Sequence, residues 1–145
     1  MTSSGMGTPD VVVERTIPMG RERVFDAWLN AELLAIFMRP TDATRSTAEV
    51  DARVGGKFRI VMAHGGGEVQ HWGEYLEITR PSRLVFTWIS ANTDERPTTV
   101  TVELTEESAQ RTRVVLTHRG LPDRTRESHR TGWTAIAQRL AELSG

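Results

Sequence analysis

The sequence predicts an α+β fold in which a curved antiparallel β-sheet wraps a long C-terminal helix, with two short helices after the first strand. Three observations carry that expectation. Apolar residues recur at helical spacing only near the two ends of the chain. Between Ser46 and Arg119 they alternate singly, and that stretch is cut by short turns with no helix between them. A chain of 145 residues is long enough for one core, so a single domain over residues 10–145 is expected, after a disordered tail at residues 1–9.

The first strand is expected from Val11 to Ile17, apolar at Val11, Val13 and Ile17 and ended by Pro18 and Gly20. Val24, Phe25, Trp28 and Leu29 then repeat at three and four residues, which predicts a helix. Asn30 is placed to cap a second helix that carries Leu33, Leu34 and Phe37 and is closed by Pro40. Alternation follows at Phe58, Ile60 and Met62, from Trp72 to Ile78, at Leu84, Phe86 and Trp88, at Val100, Val102 and Leu104, and at Val114, Leu116 and His118. Turns are expected at Gly65–Gly67, Arg80–Ser82 and Glu106–Gln110. Gly120, Leu121 and Pro122 break the last strand. Asp123 is the expected cap of a final helix whose inner face carries Gly132, Trp133, Ile136, Ala137 and Leu140, reaching toward Leu143.

Composition excludes several functions. Eighteen basic and nineteen acidic side chains without a long single-sign block give no footprint for nucleic acid. The absence of cysteine removes disulfide scaffolds, thiolate zinc sites and cysteine nucleophiles, and it fits a reducing interior. No apolar run approaches the roughly 20 residues of a membrane span, and the start MTSSGMGTPD has no signal-peptide pattern, so a cytoplasmic location is expected. Gly65–Gly67 lies between two strands and lacks the helix N-terminus that makes a glycine loop bind phosphate. No G-x-S-x-G elbow occurs, and the four histidines include no close-spaced ligand pair. Neither a metal, a cofactor nor a catalytic constellation is expected.

Pairing the strands points to a pocket. With Met62 near His71, Phe58 falls near Tyr75, and the Arg80–Ser82 turn sets Phe86 near Tyr75 and Trp88 near Gly73. One face then gathers Phe58, Ile60, Met62, His71, Tyr75, Leu84, Phe86 and Trp88. The other carries Lys57, Arg59, Glu74, Thr87, Thr99 and Glu103, which makes the first face concave and the second solvated. Core packing alone accounts for any one aromatic, since burying it stabilises the fold by roughly 1.5–3 kcal/mol. Several large rings around Gly73, facing one helix, are harder to pack solidly and predict a cavity of roughly a few hundred Å³. Tyr75, His71, His118 and His129 are the polar groups expected to orient a ligand, against the plainer expectation of packed, satisfied histidines. Trp72 is expected on the outer face near Val61 and Ile89, where it predicts a homodimer through the convex sheet.

Several segments together resemble a known family. They are Arg23-Val24-Phe25-Asp26-Ala27-Trp28, Val54-Gly55-Gly56-Lys57-Phe58, Gly73-Glu74-Tyr75-Leu76-Glu77-Ile78 and Arg83-Leu84-Val85-Phe86-Thr87-Trp88. Leu116 to Pro122 and His129 with Gly132-Trp133 complete the set, which covers most of the chain from Val11 to Leu143. The sequence resembles homologues of the activator of the heat-shock protein 90 ATPase, within the birch-pollen-allergen-like (START-like, SRPBCC) superfamily. The resemblance implies a helix-grip fold with a cavity between the sheet and the C-terminal helix, in a superfamily whose members bind lipids, polyketide-like molecules and other apolar compounds. Many relatives carry paired tryptophans where this chain reads Ile36-Phe37-Met38-Arg39-Pro40, which implies a different pocket mouth. The eponymous activators carry an additional N-terminal domain not seen in this sequence, so chaperone activation is not the leading expectation.

The leading expectation is a carrier or sensor of a small hydrophobic molecule. Its expected ligand-binding set is Trp28, Phe37, Phe58, Met62, His71, Tyr75, Phe86, Trp88, His118, His129 and Trp133. Two alternatives stay open. One is a cyclase- or aromatase-like enzyme in which Tyr75, His118 or His129 moves a proton. The other is a protein-interaction module of co-chaperone type, resting on Trp72 and on the name of the family the sequence resembles.

Overall fold

The computed structural model describes residues 10–39, 43–64 and 67–143, with the side chains of residues 43, 44 and 64 left aside. The expected tail, Pro40 and most of the Gly65–Gly67 turn lie outside the described residues. The elements are β1 (Val11–Ile17), α1 (Arg21–Ala27), α2 (Ala31–Phe37), β2 (Ala43–Val50), β3 (Lys57–His64), β4 (Gly67–Thr79), β5 (Arg83–Trp88), β6 (Thr98–Ser108), β7 (Arg111–Arg119) and α3 (Arg126–Glu142). Seven strands form one curled sheet in the order β1-β7-β6-β5-β4-β3-β2, with every neighbouring pair antiparallel. All three helices close the concave side: α1 against β6 and β7, α2 on β2, and α3 along β1 with its flank against α2. The predicted α+β plan, with a curved sheet around the last helix, is the observed one.

The alternation read from the sequence sorts the two faces. Phe58, Ile60, Met62, His71, Tyr75, Leu84, Phe86 and Trp88 are all buried, as are Val100, Val102, Leu104, Val114, Leu116 and His118 farther round the sheet. Opposite them, Lys57, Arg59 and Glu103 are exposed. The expected start of the second helix holds as well. Asn30 caps α2, its side-chain oxygen accepting from the Leu33 N–H at 3.0 Å, so one orphan amide of the first turn is satisfied.

Five details differ from expectation, each for a local reason. Strand β2 adds an edge to the sheet that alternation did not reveal, because the residues of its inward phase are Ser46, Ala48 and Val50, small or polar. The β3–β4 register is displaced by two residues, so that Phe58 faces Gly73, Ile60 faces His71 and Met62 faces Val69. A displacement of two keeps every side chain on its face, which is why the burial pattern survived. A bulge between the pairs Tyr75–Phe86 and Glu77–Val85 shifts the phase of β4, so that Ile78, on the outer phase of Trp72 and Glu74 by simple alternation, pairs with Leu84 and packs against the core. The β6–β7 turn is only Ala109–Gln110, because Glu106 and Glu107 remain in strand β6 and Glu107 pairs with Arg111 at 3.6 Å. At the last helix, Asp123 opens a 3-10 turn and bonds Arg126, while Thr125 takes the N-cap position of α3 without a side-chain cap.

Candidate functional site

Between the sheet and the helices, the described residues line two small apolar voids. The first is lined by Trp28, Leu34 and Met38 from the α1–α2 arm and by Phe58, Ile60, Tyr75, Phe86 and Trp88 from the sheet, with a cavity volume of about 10 Å³. The second, also about 10 Å³, is lined by Val13, Arg15, Trp28, Val114 and Leu116 and by Trp133, Ile136, Ala137 and Leu140. Each is close to the smallest space that admits one water. Trp28 is the residue common to both linings. It follows the last turn of α1, with its ring edge-on to Phe37 at 5.1 Å, so a single indole stands between the sheet-side and helix-side voids.

Among the described residues the expected cavity of a few hundred Å³ is not open, and the packing shows why. Trp133 of α3 reaches across to Trp88, ring centroids 4.9 Å apart. The room above Gly73 is taken by Phe58, not Trp88: a Cβ on Gly73 would lie 2.7 Å from Phe58 Cζ and 1.9 Å from the Thr87 carbonyl oxygen. Phe58 in turn meets Phe86 edge-on at 5.4 Å and Tyr75 at 5.4 Å. The aromatic cluster fills the concave face by interlocking rings.

Beside this cluster runs a buried polar chain that the sequence did not disclose. Trp133 Nε1 donates to His118 Nδ1 at 2.9 Å. Because an indole nitrogen can only donate, Nδ1 must be the acceptor, and His118 carries its proton on Nε2. That Nε2–H donates to Thr98 Oγ1 at 2.7 Å, which leaves the Thr98 hydroxyl to donate to the Trp88 carbonyl at 2.6 Å. The chain thus ties α3 to β7, β6 and β5 with each ring nitrogen of His118 committed. Burial foremost, and the neighbouring His129, push the His118 pKa down to about 3, so the ring is neutral. His129 stands edge-on to His118 at 5.2 Å, its Nδ1 donating to the Thr125 carbonyl at 2.8 Å. Its pKa is lowered too, by burial, with that backbone hydrogen bond acting in the opposite direction. Tyr75 is buried at the first void, and burial, then Asp51, raise its phenol well above the ordinary value, so it stays protonated.

The expected ligand set divides accordingly. Trp28, Phe58, Tyr75, Phe86 and Trp88 come together around the first void, and Trp28 and Trp133 line the second. Phe37, Met62, His71, His118 and His129 pack behind these walls; His71 stacks on Trp88 at 4.8 Å. Leu34, Met38 and Ile60 were missed at the first void, although Leu34 and Ile60 belong to the apolar phases read from the sequence. At the second, Val13, Val114, Leu116, Ile136, Ala137 and Leu140 were missed from the ligand set, though read as core, and so was Arg15, which occupies the inward phase of β1 between Val13 and Ile17, yet is exposed. Trp72 is half-buried and pairs through its backbone with Ile89, while Arg59 faces it from β3. No group of three His, Cys, Asp or Glu among the described residues is placed to hold a metal ion, and no described helix is long and apolar enough to cross a membrane.

Known proteins share this architecture. A structure from Chromobacterium violaceum superimposes with a TM-score of 0.81 at 25% identity, covering 92% of this chain and 94% of that one. One from Nitrosomonas europaea gives a TM-score of 0.76 at 25% identity, covering 92% of each chain. A third, described as an HSP90 activator from Plasmodium falciparum, is 29% identical with a TM-score of 0.70, over 92% of this chain and 95% of its own. No curated protein matches the sequence. Residues 18–145 match a family, and with that match and the sheet-on-helix core the chain belongs to the family described as Activator of Hsp90 ATPase homolog 1-like protein.

Proposed function

We propose that the protein binds a small hydrophobic molecule between the sheet and the helices, acting as a carrier or sensor. The observation that carries this reading is the position of Trp28, one side chain that lines both apolar voids found among the described residues. Displacing that indole joins the voids and vacates its own volume, which moves the space toward the size of known ligand pockets. The local structure suits such a movement. Trp28 lies at the start of the three-residue link between α1 and α2, held by backbone bonds of 3.1–3.4 Å, and Met38 at the far end of α2 is an unbranched, adaptable wall. Proton transfer is less well supported, since both ring nitrogens of His118 are committed and Tyr75 is held protonated.

Titration with N-phenylnaphthylamine, a neutral apolar fluorophore, tests the reading. Saturable one-to-one binding that persists in Leu76→Ser, a change on the outer surface, is expected. Failure to saturate, or binding lost in that variant, would refute an interior site.

A second reading, a protein partner on the outer sheet face, has its own observation. Leu76 is 47% exposed and Val54 60% exposed, and Gly55, next to Val54, donates its N–H to the Tyr75 carbonyl beside Leu76 at 2.8 Å. The likeness to the Plasmodium falciparum HSP90 activator makes a chaperone ATPase one occupant, and a second copy of this chain, near Trp72, is the other. Light scattering that shows only monomer at high concentration removes the homodimer, and an unchanged Hsp90 ATPase rate in its presence removes the chaperone.

A further inference from the structure

We infer that the interior ligand carries one uncharged hydrogen-bond acceptor, a ketone, ester, ether or hydroxyl oxygen, and that the indole N–H of Trp28 holds it. This rests on the interior-site reading above and specifies its ligand class. Trp28 is 3% exposed, and its Nε1 is buried with no hydrogen-bond partner among the described residues. The contrast with Trp133 is direct: that indole, equally buried, spends its donor on His118. Native cores rarely leave a buried donor unanswered, because the group loses its hydration and receives nothing in exchange. Here the unanswered donor belongs to the one residue that borders both apolar voids, so an acceptor arriving with a ligand would be its partner.

The surroundings decide the charge of that acceptor. Among the described residues no Asp, Glu, Lys or Arg lines the sheet-side void, and the polar side chain that does, Tyr75, is a protonated phenol. A carboxylate there would lose its water with no cation to receive it. Arg15 borders only the helix-side void and is exposed to solvent, which already hydrates it. The fitted molecule is thus apolar in body, with a neutral oxygen at its middle or edge.

Three probes that share one bicyclic frame test this: indanone, indane and indane carboxylate, each titrated into the full chain. Indanone is expected to bind about tenfold more tightly than indane, the scale of one buried hydrogen bond, and the carboxylate more weakly than indanone. In Trp28→Phe the indanone-to-indane ratio should fall to about one. The wild-type indole N–H spectrum, which holds four tryptophan signals, gives the same answer without a variant: indanone should move the Trp28 signal further downfield than indane does. Equal affinities and equal shifts would overturn the anchor while leaving the interior site standing. Preference for the carboxylate would overturn it in favour of Arg15. No binding of any probe would overturn both readings together.

Discussion

The buried imidazole of His118 makes a quantitative demand on stability. Its pKa is about 3 in the folded protein against an ordinary 6.5, with burial the larger cause. Between those two values the unfolded chain binds a proton that the folded chain rejects. The contribution is therefore fully present above pH 6.5 and is lost as the pH falls toward 3. From pH 7 to pH 5, where most carboxylates are still ionised, one such group removes about 2 kcal/mol. His129, whose pKa is lowered in the same direction, adds to the loss. The perturbation that isolates His118 is His118→Gln, which offers an acceptor to Trp133 and a donor to Thr98 and does not titrate. Urea unfolding at pH 7, 6 and 5 is the assay. Wild type should lose about 2 kcal/mol more than His118→Gln across that range. Parallel pH profiles for the two proteins would refute both the neutral, Nε2-protonated ring and the chain of hydrogen bonds built on it.

Three further outcomes follow from the packing and are read by urea or thermal unfolding. Thr98→Val leaves the His118 Nε2–H and the Trp88 carbonyl without their shared hydroxyl, at a cost of about 1–3 kcal/mol; a neutral result would show that the hydroxyl bridge is not needed. Gly73→Ala sets a methyl against the Thr87 carbonyl oxygen, backbone that cannot rotate away, and should cost about 3 kcal/mol or more. Near-wild-type stability there would mean that the Thr87 carbonyl does not lie against Gly73. Asn30→Ala removes the α2 cap and should cost about 1 kcal/mol, with helical signal lost in proportion.

Much of the scaffold was legible because a strand reports its faces through a period of two and the apolar residues kept that period. Phe86 opposite Tyr75 followed from the short Arg80–Ser82 turn, whereas the longer β3–β4 hairpin left its register free to differ by two residues. Strand β2 was illegible for a physical reason: Ser46 spends its inward side chain on the Met38 carbonyl at 2.6 Å, fastening the end of α2, and so contributes no apolar beat. The aromatic cluster was legible as a list of residues but not as a volume. Whether rings enclose space or interlock depends on a contact such as Trp88 with Trp133, between strand and helix, which no local pattern encodes. The two tryptophan donors, one satisfied by His118 and one left bare at Trp28, are likewise a property of the assembled core.

Methyl NMR of the wild-type chain during titration with N-phenylnaphthylamine tests the interior site most directly, because ring-current shifts locate the probe without any substitution. The account predicts shifts at Leu34, Met38 and Ile60 around the first void and at Leu116, Ile136 and Leu140 around the second, as the probe takes the space between them. Shifts confined to Val54 and Leu76, with the interior methyls unmoved, would contradict it and place the protein's recognition surface on the outside of the sheet.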